Sequence, residues 1–208
     1  VQGNGRFITF EGPDGAGKTT QIKKLAAYLK EKEKPFLLTR EPGGTRISDA
    51  IRSLILHPGH TEMMKETEVL LYAASRAQHV REKIIPALEK GVIVLCDRFV
   101  DASIAYQGYG LEIGVQKILE INDFATGGLT PDRSYLLDIS PEQAQKRLIA
   151  RSGETLDRIE QKGIEYHKQV RYGFLELYKQ HRDRILLLDG HQSEEAIFSL
   201  IKKDFESI

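Results

Sequence analysis

At 208 residues the chain is long enough for one α/β domain with a buried core. Lys plus Arg and Asp plus Glu balance at 30 each, so no bulk charge exists to attract a nucleic acid or another polyanion. The single cysteine, Cys96, excludes an intrachain disulfide, and no apolar run reaches the length of a membrane span, which together point to a soluble, cytoplasmic protein.

The first predicted strand covers residues 6–11. Residues 12–19 follow it and read G-P-D-G-A-G-K-T, fitting the G-x-x-x-x-G-K-[ST] pattern of a phosphate-binding loop. Beyond them Ile22, Leu25, Ala26 and Leu29 recur at helical spacing. A strand, a Gly-rich loop and a helix in that order turn backbone N–H groups toward a polyphosphate at the positive end of the helix. Gly12, Pro13, Asp14, Gly15, Ala16, Gly17, Lys18, Thr19 and Thr20 are therefore candidate ATP-binding residues. Lys18 can reach the β- and γ-phosphates, and the Thr19 hydroxyl can ligate Mg²⁺.

A second strand is expected over 36–39, then Thr39-Arg40-Glu41-Pro42-Gly43-Gly44, a rigid turn with Glu41–Pro42 a candidate cis bond. Residues 45–56 place Ile47, Ile51, Leu54 and Ile55 on one helical face. Residues 62–88 read as one long helix with more apolar surface than a single stripe requires, including Val69, Leu70, Ala73, Ala77, Val80, Ile84 and Leu88. His57 and His60 flank Pro58-Gly59 without further metal-ligand partners. The third strand, 92–97, holds Cys96 as a core residue and ends in Asp97-Arg98. An acid there can support Mg²⁺ through water, and the neighbouring guanidinium offers a fork for a phosphate. Tyr106 and Gln107 then supply a bulky edge and an amide.

The fourth strand is expected over 134–139, followed by Ser140-Pro141-Glu142-Gln143, an N-cap with Pro at the first helical position. Residues 151–158 are polar, charged and carry a glycine; the pattern admits either a solvated helix–helix connection or a lid over phosphates. The fifth strand is expected over 184–189, and Ser193 caps a last helix with Ile197, Leu200, Ile201 and Phe205. Strands alternating with helices imply an α/β fold: a five-stranded parallel sheet flanked by helices on both faces, one domain over 1–208. Ligands of such sheets sit beyond the carboxyl ends of the strands, where the loop and Asp97-Arg98 both fall.

A phosphate loop leaves GTPases, ATPases and small-molecule kinases open. No N-K-x-D guanine-reading motif is present. The acid-bearing phosphate loop, T-R-E-P-G-G at 39–44, D-R-F-V-D-A-S-I-A-Y-Q-G at 97–108 and D-R-I-E at 157–160 together resemble bacterial thymidylate kinases, over residues 7 to 160 and in flanking pattern to the end. The resemblance implies a phosphate-loop NTPase fold with a lid at about residues 147–160 and transfer of the ATP γ-phosphoryl group to dTMP with Mg²⁺. It also implies a homodimer packed through helices, with neither nucleic acid nor membrane as partner. Another nucleoside monophosphate kinase, a deoxynucleoside kinase or a regulatory ATPase is the alternative.

By position, the resemblance puts Asp14 on the sugar 3′-hydroxyl and Arg98 on the acceptor phosphate, with Arg52 as a second arginine near it. Tyr72 stacks on the base and Arg76 hydrogen-bonds it. Ser103 and Gln107 are base-side polar contacts, and Tyr106 crowds the 2′ position. Arg147 lies against adenine, and Arg151 and Arg158 form a basic lid. Lys18, Arg98, Arg151 and Arg158 are then the catalytic set, and Thr19 with Asp97 the metal side. The chain departs from the family pattern in having Ala102 before Ser103 where many relatives have two serines, and Tyr rather than Phe at 72. Asp14 precedes Gly15 rather than Arg, the arrangement of the branch whose catalytic arginine comes from the lid.

Overall fold

The structure, a computed structural model, describes residues 5–152 and 156–208, with the side chains at 151 and 152 outside the description. Its centre is a five-stranded, all-parallel sheet in the order β2-β3-β1-β4-β5. The strands are β1 (Phe7–Glu11), β2 (Phe36–Arg40), β3 (Ile93–Asp97), β4 (Arg133–Asp138) and β5 (Ile185–Asp189). All five lie within one residue of their expected bounds. In β1 all five residues are buried, as a central parallel strand covered on both faces demands. Side chains alternate across the sheet. Ile8, Phe10, Leu95 and Leu137 face α1 (Lys18–Glu31) and a C-terminal helix over 194–207. Phe7, Val94 and Cys96, with Leu136 and Ile185, face the remaining helices.

β1 lies between β3 and β4, so the loop that follows it opens where the strand order reverses. The loop can turn there only because of its glycines. Gly12 has φ 123°, and a Cβ on it would stand 2.2 Å from the carbonyl oxygen of Leu137. The Glu41–Pro42 peptide bond is cis, as the sequence suggested.

The helices are less regular than their pattern. α2 (Arg46–Leu56) is capped by Thr45, whose hydroxyl accepts from the Ser48 N–H. The apolar face expected on it is only partly inward: Ile55 is buried, whereas Ile47 and Leu54 are about half exposed. The long helix expected over 62–88 is three pieces. α3 (Lys65–His79) passes through a π-helical turn (Val80–Ile84) into α4 (Ile85–Glu89). Pro86 has no N–H to give the preceding turn, and the widened turn, in which Ile85 N–H reaches Val80 O, accommodates it. α5 (Val100–Ser103) likewise runs into a π-helical stretch (Ile104–Gly110).

One helix had no place in the sequence reading, α6 (Val115–Thr126); α8 (Ile164–Gln180) is the helical stretch expected, without bounds, after the polar segment at 151–158. α7 (Pro141–Ser152) and α9 (Glu194–Ser207) start at the expected caps, Ser140 and Ser193. α3 packs between α2 and α6, so part of its surplus apolar surface is satisfied within the chain. What remains is a shallow apolar groove lined by Leu70, Ala73, Ala74, Ala77, Ile121 and Phe124, in which Leu70 is 60% and Phe124 90% exposed.

Candidate active site

Two cavities meet at the carboxyl ends of β1 and β3. One is a long cleft over residues 14–21, with Asp97, Arg147, Gly190 and Gln192 on its walls. The other is a narrower pocket between α2, α3 and α5, lined by Tyr72, Arg76, Ser103, Tyr106 and Gln107 among others. Asp14, Glu41, Arg52, Arg98 and Asp157 belong to both.

The long cleft is built from unspent donors. Ala16 N–H bonds to Pro13 O, but no described residue takes the backbone N–H groups of Gly15, Gly17, Lys18 or Thr19. These point out of the loop and the first turn of α1, a ready anion cradle. Lys18 is buried, and its ammonium donates to Gly12 O (3.1 Å) and Pro13 O (2.8 Å). Burial, then Arg98, pulls its pKa below the ordinary lysine value. The Thr19 hydroxyl donates to Asp97 Oδ2 at 3.2 Å, so the two oxygens share one spot. Thr20 lies on the cleft wall, and Arg147 from α7 donates to Gly15 O (3.4 Å) and Gly190 O (2.9 Å), bridging the loop to the end of β5.

Arg98 divides the two cavities. Its φ is 72°, a left-handed conformation that costs a non-glycine residue on the order of 1 kcal/mol or more. β1 holds that corner from both sides. Arg98 N–H donates to Phe10 O (3.0 Å), and Phe99 N–H donates to Glu11 Oε1 (2.8 Å). The guanidinium then lies over the Tyr106 ring, 4.9 Å from its centroid, and Nη2 donates to Asp14 Oδ1 (2.8 Å) and Tyr106 Oη (3.0 Å). Nη1 is buried and has no partner. A buried, unpaired guanidinium nitrogen is costly unless an anion meets it. Burial pushes the Asp14 carboxyl upward, but Arg98 and Lys18 outweigh it and hold the group below the usual carboxylate range. Asp14 is thus an anion inside an anion-binding loop, sustained by the two cations beside it.

The pocket floor is a buried polar network. Arg76 donates through Nε to Glu41 Oε2 (2.6 Å), through Nη1 to Ser103 Oγ (2.8 Å) and to Asn122 Oδ1, and through Nη2 to Phe99 O (3.0 Å). Four of its five N–H groups are committed, leaving one on Nη2. Glu41 also meets His79 Nδ1 at 2.9 Å, and His79 Nε2 meets Thr39 Oγ1 at 2.7 Å. Tyr72 stands on the pocket wall, and Arg52 Nη1 donates to Pro42 O (2.8 Å). Burial, then Arg40, lowers the Arg52 pKa from its ordinary value.

The expected basic lid is placed differently. The Arg151 side chain and residues 153–155 lie outside the described residues. Arg158 is buried, not poised over phosphates. It ion-pairs with Glu68 (2.8 Å) and donates through Nε to Ile55 O (2.8 Å). The turn carrying it is fixed by Asp157, whose Oδ1 accepts from the N–H groups of Ile159 and Glu160, so this end of the segment is locked onto α2 and α3.

Sequence reasoning passed over Glu11, Glu68 and Asn122, and saw Glu41 only as part of a turn. Signals existed: Glu68, Tyr72 and Arg76 are spaced by four and share a helical face, and Glu11 is a charge ending a largely apolar strand. Asn122 lies on the unforeseen α6 and left none.

The cleft geometry stands beside a family match. The thymidylate kinase family model matches residues 10–201. The chain belongs to the thymidylate kinase family. A thymidylate kinase of Exiguobacterium sibiricum is 54% identical over 200 residues, covering 96% of this chain and 93% of the relative. One from a Geobacillus species (strain WCH70) is 48% identical over 196 residues, covering 94% and 93%. The crystal structure of the Ehrlichia chaffeensis thymidylate kinase superposes with a TM-score of 0.79 at 32% identity, covering 97% of this chain and 98% of that one. As a family member the chain is an enzyme with the phosphate-loop NTPase fold, and nucleotide-switch and motor readings are set aside.

Glu11 gives the corner of this kinase-family site a pH signature. Burial and then Asp101 raise its carboxyl from 4.5 to about 8, against Arg98, the Phe99 N–H and Lys18. With the folded value above the unfolded one, the neutral group contributes stability fully below the unfolded pKa, and that contribution is lost as pH rises through about 8. Glu11→Gln keeps an acceptor for Phe99 and cannot ionise. Its urea midpoint relative to the unsubstituted protein should therefore rise between about pH 5 and about pH 9. A difference that stays constant over that range would refute the assignment.

Proposed function

We propose that this chain transfers the γ-phosphoryl group of ATP to dTMP, giving ADP and dTDP, and acts in the cytoplasm. The observation that carries the reading is the pair of unspent anion sites on one wall: the loop N–H groups and Arg98 Nη1, with Asp14 between them. Two polyanions brought to such a wall face each other across Arg98. The acceptor phosphate is already an anion, so transfer needs alignment and charge neutralisation more than a strong base. Lys18 shifts from the loop carbonyls to the β- and γ-phosphates, and Arg98 Nη1 takes the acceptor phosphate, seconded by Arg52.

Asp14 and the Tyr106 hydroxyl, already within hydrogen-bond reach of each other (3.3 Å), meet the sugar; the 3′-hydroxyl donates to Asp14 and the Tyr106 ring excludes a 2′-hydroxyl. Tyr72 stacks on the base. Arg147 packs against adenine. Arg151 remains the candidate for lid charge, whereas Arg158 acts through its anchor on Glu68. Mg²⁺ fits the hard-oxygen pair Thr19 and Asp97, and the described residues hold no cluster of three or more acidic, histidine or cysteine ligands, consistent with an ion carried chiefly by substrate phosphates. When bound it would neutralise phosphate charge.

Base preference follows from the pocket floor. Arg76 has one N–H left, Ser103 Oγ is already an acceptor and so has its proton to donate, and Gln107 supplies an amide. In a panel of dTMP, dCMP, dGMP and dAMP, turnover with dTMP should lead by at least roughly 10²-fold, because unmatched buried polar groups are costly. Asp14→Ala should cut dTMP turnover severely while leaving ATP binding nearly intact. Equal rates across the panel, or loss of ATP affinity alone in the variant, would contradict the assignment.

The apolar groove between α3 and α6 supports a homodimer. A 90% exposed Phe124 beside Leu70 is the kind of surface a second copy covers. Sedimentation equilibrium at micromolar concentration should give twice the 23.5 kDa chain mass, and Phe124→Glu should halve it. A monomer before any substitution would remove the interface.

A further inference from the structure

The Gln107 amide touches a second buried group whose chemistry fixes which way it points. Glu68, on α3, is 1% exposed. Its Oε1 accepts from Gln107 Nε2 at 3.1 Å, and its Oε2 is paired with Arg158 Nη2 at 2.8 Å. A carboxylate paired with a guanidinium can only accept, so the NH₂ end of the Gln107 amide must face it; the carbonyl end would meet negative charge. Gln107 is itself 2% exposed and lines the pocket with Tyr72, Arg76 and Ser103. No described residue donates to its Oε1, and the side chain carrying it is part of the pocket lining.

We propose that Glu68, held by Arg158, is a positioning residue that locks the Gln107 amide with its carbonyl toward the substrate, so that the pocket accepts a base bearing a ring N–H and rejects one bearing a ring nitrogen acceptor. This rests on the dTMP kinase reading. The locked amide presents an acceptor beside two donors, the remaining Arg76 N–H and the Ser103 hydroxyl. Thymine and uracil offer the complement, an N3–H flanked by carbonyls. Cytosine offers an N3 acceptor beside an amine, and the locked amide opposes it at N3. A freely turning amide would serve either pattern, so the specificity lies one residue behind the contact. Arg158 therefore connects the turn at the end of the lid segment to base selection.

The test is a double-mutant cycle read as the ratio of kcat/KM for dTMP to that for dCMP. Glu68→Gln replaces the acceptor by a group that can also donate, which frees Gln107 to turn. The ratio should fall at least about tenfold, the scale of one mismatched buried hydrogen bond. In a Gln107→Met background the same substitution should change the ratio by less than about twofold, because the amide it controls is gone. An unchanged ratio in Glu68→Gln, or an equal fall in both backgrounds, overturns the proposal; the second result is what a purely structural role gives.

If Glu68→Gln does not fold, the unsubstituted protein decides the matter by ¹⁵N–¹H spectroscopy. The side-chain amide pair absent from the Gln107→Met spectrum should contain one proton protected from exchange both with and without dTMP. Two rapidly exchanging protons before dTMP is added overturn the lock. If the unsubstituted protein does not prefer dTMP to dCMP, the reading of the pocket itself fails, and the amide spectrum still judges the Glu68–Gln107 contact separately.

Discussion

The corner at Arg98 is the constraint from which the rest of the site follows. A guanidinium must stand at the boundary of two anion-binding cavities with one nitrogen unpaired, and the backbone must take a left-handed turn to put it there. β1 supplies the hold. Its last two residues accept the N–H groups of Arg98 and Phe99, and its next residues are the phosphate loop. One strand end thereby positions both halves of the chemistry. The Asp14–Arg98–Tyr106 contacts tie the guanidinium to the loop on one side and to the pocket ring on the other, and Asp14 holds its charge because burial is outweighed by the cations around it.

A site made of buried charge is stable only if each member is answered. Leaving one partner of a buried ion pair alone costs several kcal/mol, about 3–5 in measured cases. The pocket floor meets that demand by closure: Glu41 answers Arg76 and His79, His79 reaches Thr39, and Asn122 and Ser103 take further Arg76 donors. Glu68 does the same for Arg158 and Gln107. Among the residues that line the cavities, the loop N–H groups and the buried Arg98 Nη1 are left without a partner. The frame is made mostly of answered polar groups, with Glu11 Oε2 a buried exception, and the open donors beside the cavities make the site.

Much of this was legible because the relevant residues are neighbours in sequence. The strand–loop–helix unit around residues 12–19 and the Asp97-Arg98 strand end announce their roles through local pattern, and short apolar, β-prone runs between helical stretches placed all five strands within a residue. What the sequence hid is tertiary. Arg158 reads as a lid charge because its neighbours are polar, and only the fold brings Glu68 and the Ile55 carbonyl to it. The apparent single helix over 62–88 hides a π-helical turn that Pro86 requires, and the surplus apolar surface of that stretch is answered partly by α6, a helix the reading omitted. Ile47 and Leu54 followed helical spacing yet remain half exposed, because spacing gives a face and not what covers it.

The central claim is that Arg98 serves the acceptor side alone while the loop N–H groups and Lys18 serve ATP. Calorimetric binding of dTMP and of ATP to Arg98→Met tests it directly. The substitution keeps bulk over the Tyr106 ring and removes the charge. dTMP affinity should fall by at least about 100-fold, as expected for loss of a charge-assisted phosphate contact, and ATP affinity should stay within about threefold. Unchanged dTMP binding, or an equal loss for both nucleotides, would contradict the division of the site at this residue.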